Sequence, residues 1–569
     1  MSRKARVSIL VPTYNTPAEA LEAMLESVET QLYPEWELCV ADDGSTASHV
    51  AQILKAHAAR DPRIKVDFAA ANGGVSRASN RALAMATGEF VVLLDHDDML
   101  EEQALFRVAQ SVVADDPDFV YSDEVHVTSD GAAAQRFVYR PAFSPEYLRG
   151  HPYIVHLVGF RTQLLRDLGG FDESLRISQD YDLMLRVAEK ARRVVHIPEI
   201  LYRWRIHEES TGHTRMHEVT EVSREVLQRH LDRSGLRATA EAGPIYNVYE
   251  TKYELVTQPH VAIIIPTRNH GDILRQCIES IRETVKRVRY DIVVVNHDSD
   301  EPATLEYLRG LDASIRVLPY SGAFNFSAIN NWAVAQLPQG YTHYLLCNND
   351  IEAIEPGWLE RMVEVAQQPD VGIVGARLLY PGRKNIQHAG VLVGAYGAAE
   401  HYGKFMYIKP EGRLEPGYGC NLVVTHELSA VTAACLLIKR EVFAAVRGFE
   451  EAMAVGFGDV DLCLRVRARG YRVLLCAQAT LVHHESYTRG ASQIDPHPQD
   501  TAEFRRRWSA FLKAGDPFYN PGLSTNSTGW DIRDPLPYGF ELVRRIYDRD
   551  ARREADAQAR ETIRLRVVA

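Results

Sequence analysis

Residues 7–15, VSILVPTYN, form an apolar run that stops at a proline, and the run returns as VAIIIPTRN at residues 261–269. The aliphatic residues predict a buried strand in each copy, and the Pro-Thr step predicts its end. Three more blocks recur in the same order: WELCVADDGS (36–45) as YDIVVVNHDS (290–299), FVVLLDHDD (90–98) as HYLLCNNDI (343–351), and GGFDESLRISQDYDLMLRV (169–187) as RGFEEAMAVGFGDVDLCLRV (447–466). Four ordered repeats predict two copies of one fold.

Each copy alternates short apolar strands with amphipathic helical segments, which predicts an α/β fold with a mainly parallel sheet covered by helices. We place the first domain at 1–242, a linker at 243–260, the second domain at 261–535 and an Arg-rich helical tail at 536–569. The second copy is about 26 residues longer, and the surplus falls in the Gly- and Tyr-rich region 388–419, whose composition predicts a loop.

The composition predicts a folded protein, with 46% hydrophobic and 25% charged residues among 569. The formal charge of −12 disfavours nucleic acid as the main partner. No run reaches the roughly 18 apolar residues of a membrane span, and the first residues lack the features of a signal peptide, so we expect a cytoplasmic chain. Seven cysteines without a C-x-x-C pair predict buried thiols instead of disulfides or a zinc site.

Three carboxylates follow the third repeated strand, at Asp95, Asp97 and Asp98. Like charges at the exit of a buried strand repel one another, which points to a cation that holds them together. Two carboxylates two residues apart suit Mg²⁺ or Mn²⁺, with water and phosphate completing the shell. The alternative is that Asp97 or Asp98 caps a helix that begins near Glu101.

Two further acidic stretches lie at predicted ends of elements. In ADDGS, Asp42 and Asp43 can accept a hydrogen bond from a pyrimidine imide or a ribose, although Asp-Gly-Ser also favours an Asx or type I turn. The glycines that open NGGVSRASNRALAMATG (72–88) can offer backbone N–H groups to phosphate, or simply precede a helix. Asp180 and Asp182 begin an apolar helix, where one of them can serve as a cap.

The order of these motifs resembles family 2 glycosyltransferases with the GT-A fold. VPTYN, a DDGS strand end, a D-x-D at a later strand end and an acidic helix start all occur, and the likeness covers nearly the whole chain twice. ISQDYDLMLR (177–186) and FNFSAINN (324–331) further resemble tandem-domain bacterial enzymes that build O-antigen, capsule or rhamnose-containing polysaccharides.

The resemblance assigns roles to residues of both copies. The catalytic bases are Asp180 and Asp459. The nucleotide-binding residues are Pro12, Tyr14, Asp42, Asp43 and Asp95 in the first copy and Pro266, Asn296 and Asn348 in the second. The metal ligands are Asp97 and His207 in the first copy and Asp350 and His483 in the second, with one Mn²⁺ or Mg²⁺ per domain.

The implied activity is metal-dependent, inverting transfer of sugars from UDP- or dTDP-linked donors to a glycan or lipid-linked glycan acceptor. Peripheral association with the cytoplasmic face of the inner membrane, or with other polysaccharide-assembly proteins, is compatible with it. Asn296 and His297 replace the usual acids in the second copy, which leaves a second hypothesis: one catalytic domain, with the other as an acceptor-binding or docking module. A sugar nucleotidyltransferase is disfavoured because the N-terminal motif lacks a glycine-rich loop with a basic residue for a triphosphate.

Overall fold

The computed structural model describes residues 4–206, 215–409, 414–484 and 495–533. The first copy contains strands β1 (Val7–Thr13), β2 (Trp36–Asp42), β3 (Ile64–Phe68), β4 (Phe90–Leu93), β5 (Met99–Leu100), β6 (Phe119–Val127), β7 (Ala134–Val138), β8 (Val158–Arg161) and β9 (Val194–Arg205). Its helices are α1 (Ala18–Glu29), α2 (Ser48–Arg60), α3 (Val75–Met85), α4 (Ala104–Asp115), α5 (Pro145–Gly150), α6 (Thr162–Asp167), α7 (Gln179–Lys190) and α8 (Met216–Arg233).

A hairpin of β10 (Ala238–Ala242) and β11 (Tyr249–Tyr253) leads to the second copy. Its strands are β12 (His260–Thr267), β13 (Arg289–His297), β14 (Ile315–Tyr320), β15 (His343–Cys347), β16 (Ile351–Ala353), β17 (Val371–Leu379), β18 (Ile386–His388), β19 (Val391–Val393), β20 (Ala399–His401), β21 (His426–Glu427), β22 (Cys435–Lys439) and β23 (Arg472–His483). Its helices are α9 (Gly271–Thr284), α10 (Pro302–Gly310), α11 (Phe326–Ala335), α12 (Trp358–Ala366), α13 (Arg440–Ala445), α14 (Gly458–Ala468), α15 (Pro498–Arg507) and α16 (Ser509–Ala514).

The two sheets have the same strand order. The first runs β3-β2-β1-β4-β8-β6-β9-β5 with β7 beside β6, and the second runs β14-β13-β12-β15-β22-β17-β23-β16 with β18 beside β17. The second sheet adds β21 beside β23. The predicted fold class, two tandem α/β domains, is confirmed.

Most strands of each sheet point the same way. In the first sheet β3, β2, β1, β4, β6 and β9 are parallel, whereas β8, β5 and β7 run in the opposite direction. The carboxyl ends of the parallel strands therefore meet the amino end of β8 at one edge. Such an edge is where ligands bind in open α/β sheets.

The two copies differ between β18 and β22. The first copy connects β7 to β8 through α5, whereas the second inserts the hairpin β19–β20 and further chain. The surplus thus lies where the sequence predicted it, but part of it forms strands. The predicted linker also contains a strand, β11, while the predicted tail at 536–569 lies outside the described residues.

A continuous apolar core joins the copies. One buried cluster contains Tyr147 and Leu148 from α5 together with Val424 and Leu428 from the second copy. The approach is close at Gly150, where an added Cβ would lie 2.2 Å from Val424 Cγ1. All seven cysteines are free and six are buried, and within the described ranges no helix is long and apolar enough to cross a membrane.

A buried ion network spans the same interface. Arg472, the first residue of β23, binds Glu146 of α5 and also contacts Asp370 at 2.7 Å. Glu146 has a second partner in Arg149 at 3.2 Å, and its side chain is 3% exposed. Removing one partner from a buried pair leaves an uncompensated charge, which costs far more than loss of a surface pair.

We expect Arg472→Ala to lower the free energy of unfolding by about 3 kcal/mol, because Glu146 then keeps only Arg149. Arg193→Ala is the matched control, since Arg193 lies next to the start of β9 in the first copy and forms a more exposed pair with Asp115. That change is expected to cost less than about 1 kcal/mol. Denaturant titration of both variants measures the difference, and equal losses would contradict a special role for the interface network.

Candidate functional site

The acidic turn between β4 and β5 lies at the carboxyl edge of the first sheet. Asp98 is buried, accepts hydrogen bonds from Arg205 N (2.7 Å) and the Tyr202 hydroxyl (2.7 Å), and so ties the turn to β9. Burial, together with the charges of Asp95 and Asp97, holds the pKa of the Asp98 carboxyl well above its usual range. The capping hypothesis is wrong, because α4 begins after Gln103 and receives no side-chain cap.

His156 joins this turn from the residues just before β8. Its Nε2 lies 3.5 Å from Asp95 Oδ2, and its ring stacks on Tyr202 with centroids 4.4 Å apart. One ligand atom each from Asp95, Asp98 and His156 lie within 4.8 Å of one another. His156 Nδ1 is buried and has no hydrogen-bond partner in the part of the chain that the structure describes. Two carboxylates and an imidazole form a donor set that suits a divalent cation such as Mn²⁺.

Asp97, the predicted metal ligand of this turn, is partly exposed, and its Oδ1 lies 3.7 Å from His96 Nδ1. It is outside the compact Asp95, Asp98 and His156 group. The predicted ligand His207 lies outside the described residues.

Asp180 lies in the first turn of α7 and is directed into the same crevice. Its side chain is exposed at the rim of the crevice, and its carboxyl accepts from Gln179 Nε2 (3.2 Å). Burial, and then the charge of Asp95, raise the pKa of Asp180 to about 6, against the opposing effect of His156. Asp182 instead pairs with Arg186 at 2.7 Å and stabilises the helix.

The second polar group of the edge follows β2. Ser45 N donates to Asp42 Oδ2 (3.2 Å), while Asp42 Oδ1 is buried and has no hydrogen-bond partner among the described residues. Both oxygens of Asp43 accept hydrogen bonds from Gly73 N and Gly74 N. These glycine amides are therefore occupied by Asp43, which favours a structural role for the loop over phosphate binding.

The predicted residues of β1 and β12 border this group. Pro12 and Pro266 are partly buried. Each lies beyond the last residue of its strand that pairs with β4 or β15, so the missing proline N–H removes no backbone hydrogen bond to that neighbouring strand. Tyr14 follows β1 and is 42% exposed.

The second copy gathers a related set after β15. Asp350 Oδ1 lies 3.2 Å from His483 Nε2, and Asn348 Nδ2 is 3.3 Å from the same nitrogen. Asp350 Oδ1 and His483 Nδ1 are buried without hydrogen-bond partners within the described residues. Converging oxygen and nitrogen lone pairs suit a cation.

The imidazoles of the two copies come from different strands. His483 ends β23 and pairs with Ile351, whereas in the first copy β9 pairs with β5 through Arg203 and Tyr202. Trp204 follows on β9, and the His156 ring packs edge-on against it at 5.0 Å. An imidazole from the residues just before β8 thus lies beside the acidic turn of the first copy, and one from β23 lies beside that of the second.

Asp459 lies in the first turn of α14, as Asp180 does in α7. Its Oδ2 accepts from Ala433 N at 3.0 Å, and Ala434 O accepts from Asn348 N, so the base position and the turn after β15 are adjacent. Burial lowers the pKa of His401 from the inserted hairpin, and the charges of Glu400 and Asp459 oppose this. The insertion therefore borders the second site.

The loop after β13 is held differently from its counterpart after β2. His297 Nε2 donates to Gly322 O (2.8 Å), and Asp298 accepts from Ser321 Oγ (2.6 Å) and Gly322 N (3.2 Å). Asn296 Oδ1 accepts from Ser299 N at 3.2 Å. In the first copy Asp43 alone binds the glycine loop that precedes α3. In the second copy His297 and Asp298 share the equivalent contacts, with the O and N atoms of Gly322.

Sequence reasoning identified both acidic turns and both helix-start aspartates but missed His156. That residue lies in HPYIVHLVGF, far along the chain from Asp95 and in no recognisable motif. The only available signal was its position just before an apolar strand, which cannot specify a neighbour without the strand order.

Comparisons with known proteins identify the family of both copies. The family model described as "Glycosyl transferase family 2" matches residues 8–167, and the model described as "Glycosyltransferase like family 2" matches residues 259–510. The chain is 40% identical to an uncharacterised Sinorhizobium fredii protein, y4gI, over 93% of its own length and 59% of the relative's. It is 34% identical to the Myxococcus xanthus O-antigen biosynthesis protein RfbC over 99% of its own length and 44% of the relative's. The chain thus spans about half the length of these relatives.

A solved structure, S. aureus TarS (1-349) in complex with UDP-GlcNAc, is 25% identical, with 39% of this chain and 65% of that chain covered and a TM-score of 0.33.

The raised pKa of Asp180 predicts a pH-dependent effect on stability. Its folded-state pKa of about 6 lies above the ordinary value of 3.8, so stability linked to this carboxyl is present below pH 3.8 and is lost as pH rises through about 6. We expect Asp180→Asn to raise the thermal midpoint at pH 7.5 more than at pH 4.5, because the amide removes a charge repelled by Asp95.

Asp116→Asn is the control of opposite sign, since pairing with Arg161 lowers the pKa of Asp116. It should give no gain at pH 7.5. Thermal scans of the three proteins at the two pH values make the comparison, and equal shifts for Asp180→Asn at both would contradict the electrostatic assignment.

Proposed function

The chain belongs to glycosyltransferase family 2, and we propose that both of its GT-A domains catalyse metal-dependent, inverting sugar transfer from nucleotide-sugar donors to a growing bacterial surface glycan. The observation that carries the proposal is the convergence of Asp180, Asp95 and His156 at the carboxyl edge of the first sheet. Asp459, Asp350 and His483 occupy the corresponding edge of the second sheet.

The donor atoms fit a divalent cation in both copies. In the first copy Asp95, Asp98 and His156 would hold it, and Asp97 lies next to them. In the second, Asp350 and His483 would hold it, since Asp350 Oδ1 lies 3.2 Å from His483 Nε2. When bound, such an ion stabilises the negative charge that develops on a departing nucleoside diphosphate.

Asp180 and Asp459 are the proposed general bases. Each takes the proton of an acceptor hydroxyl as that oxygen attacks the anomeric carbon, while the bond to the diphosphate breaks on the opposite face. An aspartate of pKa about 6 is too weak to deprotonate an alcohol in advance, so proton transfer is concerted with attack. A single displacement inverts the anomeric centre and needs no covalent enzyme intermediate.

The donor and product are supported by different observations. The buried acceptor Asp42 Oδ1 suits the imide N–H of uracil or thymine, which supports a UDP- or dTDP-linked donor. RfbC is named for O-antigen biosynthesis and matches along nearly the whole chain, which supports a polysaccharide product. The inserted hairpin beside Asp459 supports a different acceptor groove in the second domain, and therefore a different linkage.

A docking role for the second domain is the alternative, favoured by Asn348 at the position of Asp95. Against it, Asp350, His483 and Asp459 retain a base and two cation-binding side chains at one edge. A decayed site is under no constraint to keep these groups together.

Separate substitution of the two bases tests bifunctionality. We expect Asp180→Asn and Asp459→Asn each to reduce one linkage by about 100-fold or more, since a general base contributes roughly 10² to 10⁴ in rate. The assay measures nucleoside diphosphate release and product linkage with a panel of UDP- and dTDP-sugars and separately supplied acceptors. Asp116→Asn controls for loss of charge elsewhere. Division of labour fails if either variant reduces both linkages equally, and a silent Asp459→Asn favours the docking role.

Cation dependence is tested with only the first site active, in the Asp459→Asn background. We expect chelation to abolish transfer and Mn²⁺ to restore it. His156→Ala should raise the Mn²⁺ concentration for half-maximal rate by about tenfold or more, because one nitrogen ligand is lost. His49→Ala is the control, since His49 bonds to Thr16 O away from the acidic turn. An unchanged Mn²⁺ requirement in His156→Ala would remove His156 from the site.

A further inference from the structure

The loops after β2 and β13 share one hydrogen-bond frame. Asn15 N donates to Ser45 Oγ at 2.8 Å, and Asn269 N donates to Ser299 Oγ at 2.9 Å. Each asparagine Oδ1 then accepts from two consecutive backbone amides of the loop, at 2.8 and 3.0 Å in the first copy and at 3.0 Å for both in the second. The two serines are therefore held in equivalent positions.

In each loop the backbone N–H of this serine also binds the side chain at or next to the end of the preceding strand. Ser45 N lies 3.2 Å from Asp42 Oδ2, and Ser299 N lies 3.2 Å from Asn296 Oδ1. A backbone N–H requires an acceptor, so the Asn296 amide must direct its oxygen to Ser299. Its Nδ2 consequently occupies the place of Asp42 Oδ1.

This place has opposite hydrogen-bonding character in the two copies. Asp42 Oδ1 is a buried acceptor without a partner. Asn296 Nδ2 is a neutral donor, and Asn296 is only partly buried. The two side chains have nearly the same shape, so the difference is one of polarity and charge.

The surroundings of Asn296 are also less acidic. His297 replaces Asp43, and the nearby carboxylate of Asp298 is occupied by Ser321 and Gly322. His297 Nε2 donates to the Gly322 carbonyl, so this ring nitrogen is engaged within the loop. Phe324, from the FNFSAINN stretch, is 53% exposed and stacks on this ring with centroids 5.8 Å apart, which leaves an aromatic face beside the loop.

We propose that the two domains read hydrogen-bonding groups of opposite polarity on the nucleobase: Asp42 accepts from an imide N–H in the first site, and Asn296 donates to a base carbonyl in the second. This inference rests on the proposed function, since it assumes that each loop binds the base of a nucleotide-sugar. Its consequence is that the first site requires a base with an imide proton, whereas the second requires only a carbonyl and tolerates loss of that proton.

Uridine diphosphate and its N3-methyl derivative separate the two modes. The methyl group removes the imide proton and leaves both carbonyls in place. Calorimetric titration with Mn²⁺ uses the full chain with one site disabled, by Asp350→Ala to report the first site or Asp95→Ala to report the second. We expect methylation to weaken binding roughly tenfold or more at the first site, because a charged acceptor loses its donor, and about threefold or less at the second.

Reciprocal isosteric variants are the matched controls. Asp42→Asn should make the first site tolerant of the methyl group, and Asn296→Asp should make the second site sensitive to it. Equal sensitivity of the two sites, or no exchange of behaviour in these variants, would overturn the inference while leaving sugar transfer intact. If the second site binds uridine diphosphate only as Asn296→Asp, or in neither form, the inference is wrong for that site.

Failure of the proposed function gives a different result. In that case neither uridine diphosphate nor any sugar nucleotide binds in any of these proteins with Mn²⁺ present, although thermal scans show that they are folded.

Discussion

Repulsion among acidic side chains at the carboxyl edge of the sheet is the constraint on which the first site depends. Asp98 is buried beside Asp95 and Asp97, and its ionised form is opposed by burial and by both neighbours. The backbone N–H of Arg205 and the hydroxyl of Tyr202 donate hydrogen bonds to Asp98. The end of β9 therefore holds the acidic cluster in place. An arrangement that costs stability in the isolated protein is understandable when a ligand of opposite charge compensates for it.

The second copy relaxes the same constraint. Asn348 and Ile351 stand where Asp95 and Asp98 stand, so Asp350 is the only carboxylate directly after β15. Burial alone would raise its pKa, but hydrogen bonding and charge from His483 reverse this and lower it. The two edges thus reach a similar donor chemistry from different charge distributions, which is consistent with duplication followed by separate adaptation.

The sequence alone was sufficient for the α/β fold class and its duplication, because four blocks of strand and helix pattern recur in the same order. It also predicted that Asp42, Asp95 and Asp180 lie at ends of strands or at the start of a helix, which is where the structure places them. It failed for His156, whose partner Asp95 is brought near only by the antiparallel insertion of β8 between β4 and β6. The helix-capping hypothesis for Asp98 was also wrong. Capping is a local interaction, whereas Asp98 accepts its hydrogen bonds from Tyr202 and Arg205 of β9, which are distant in sequence.

The exchange of DDGS for NHDS shows why a motif can change while the geometry around it persists. The loop needs an acceptor for its glycine amide, and Asp298 supplies one when His297 replaces Asp43. Because Asp298 binds the glycine amide in the second copy, Asn296 is not required for that contact. Asn296 can therefore differ from Asp42 and still accept from Ser299 N, as Asp42 accepts from Ser45 N. The conserved frame is therefore structural and the variable atom within it is open to a ligand, so divergence in recognition requires no change in fold.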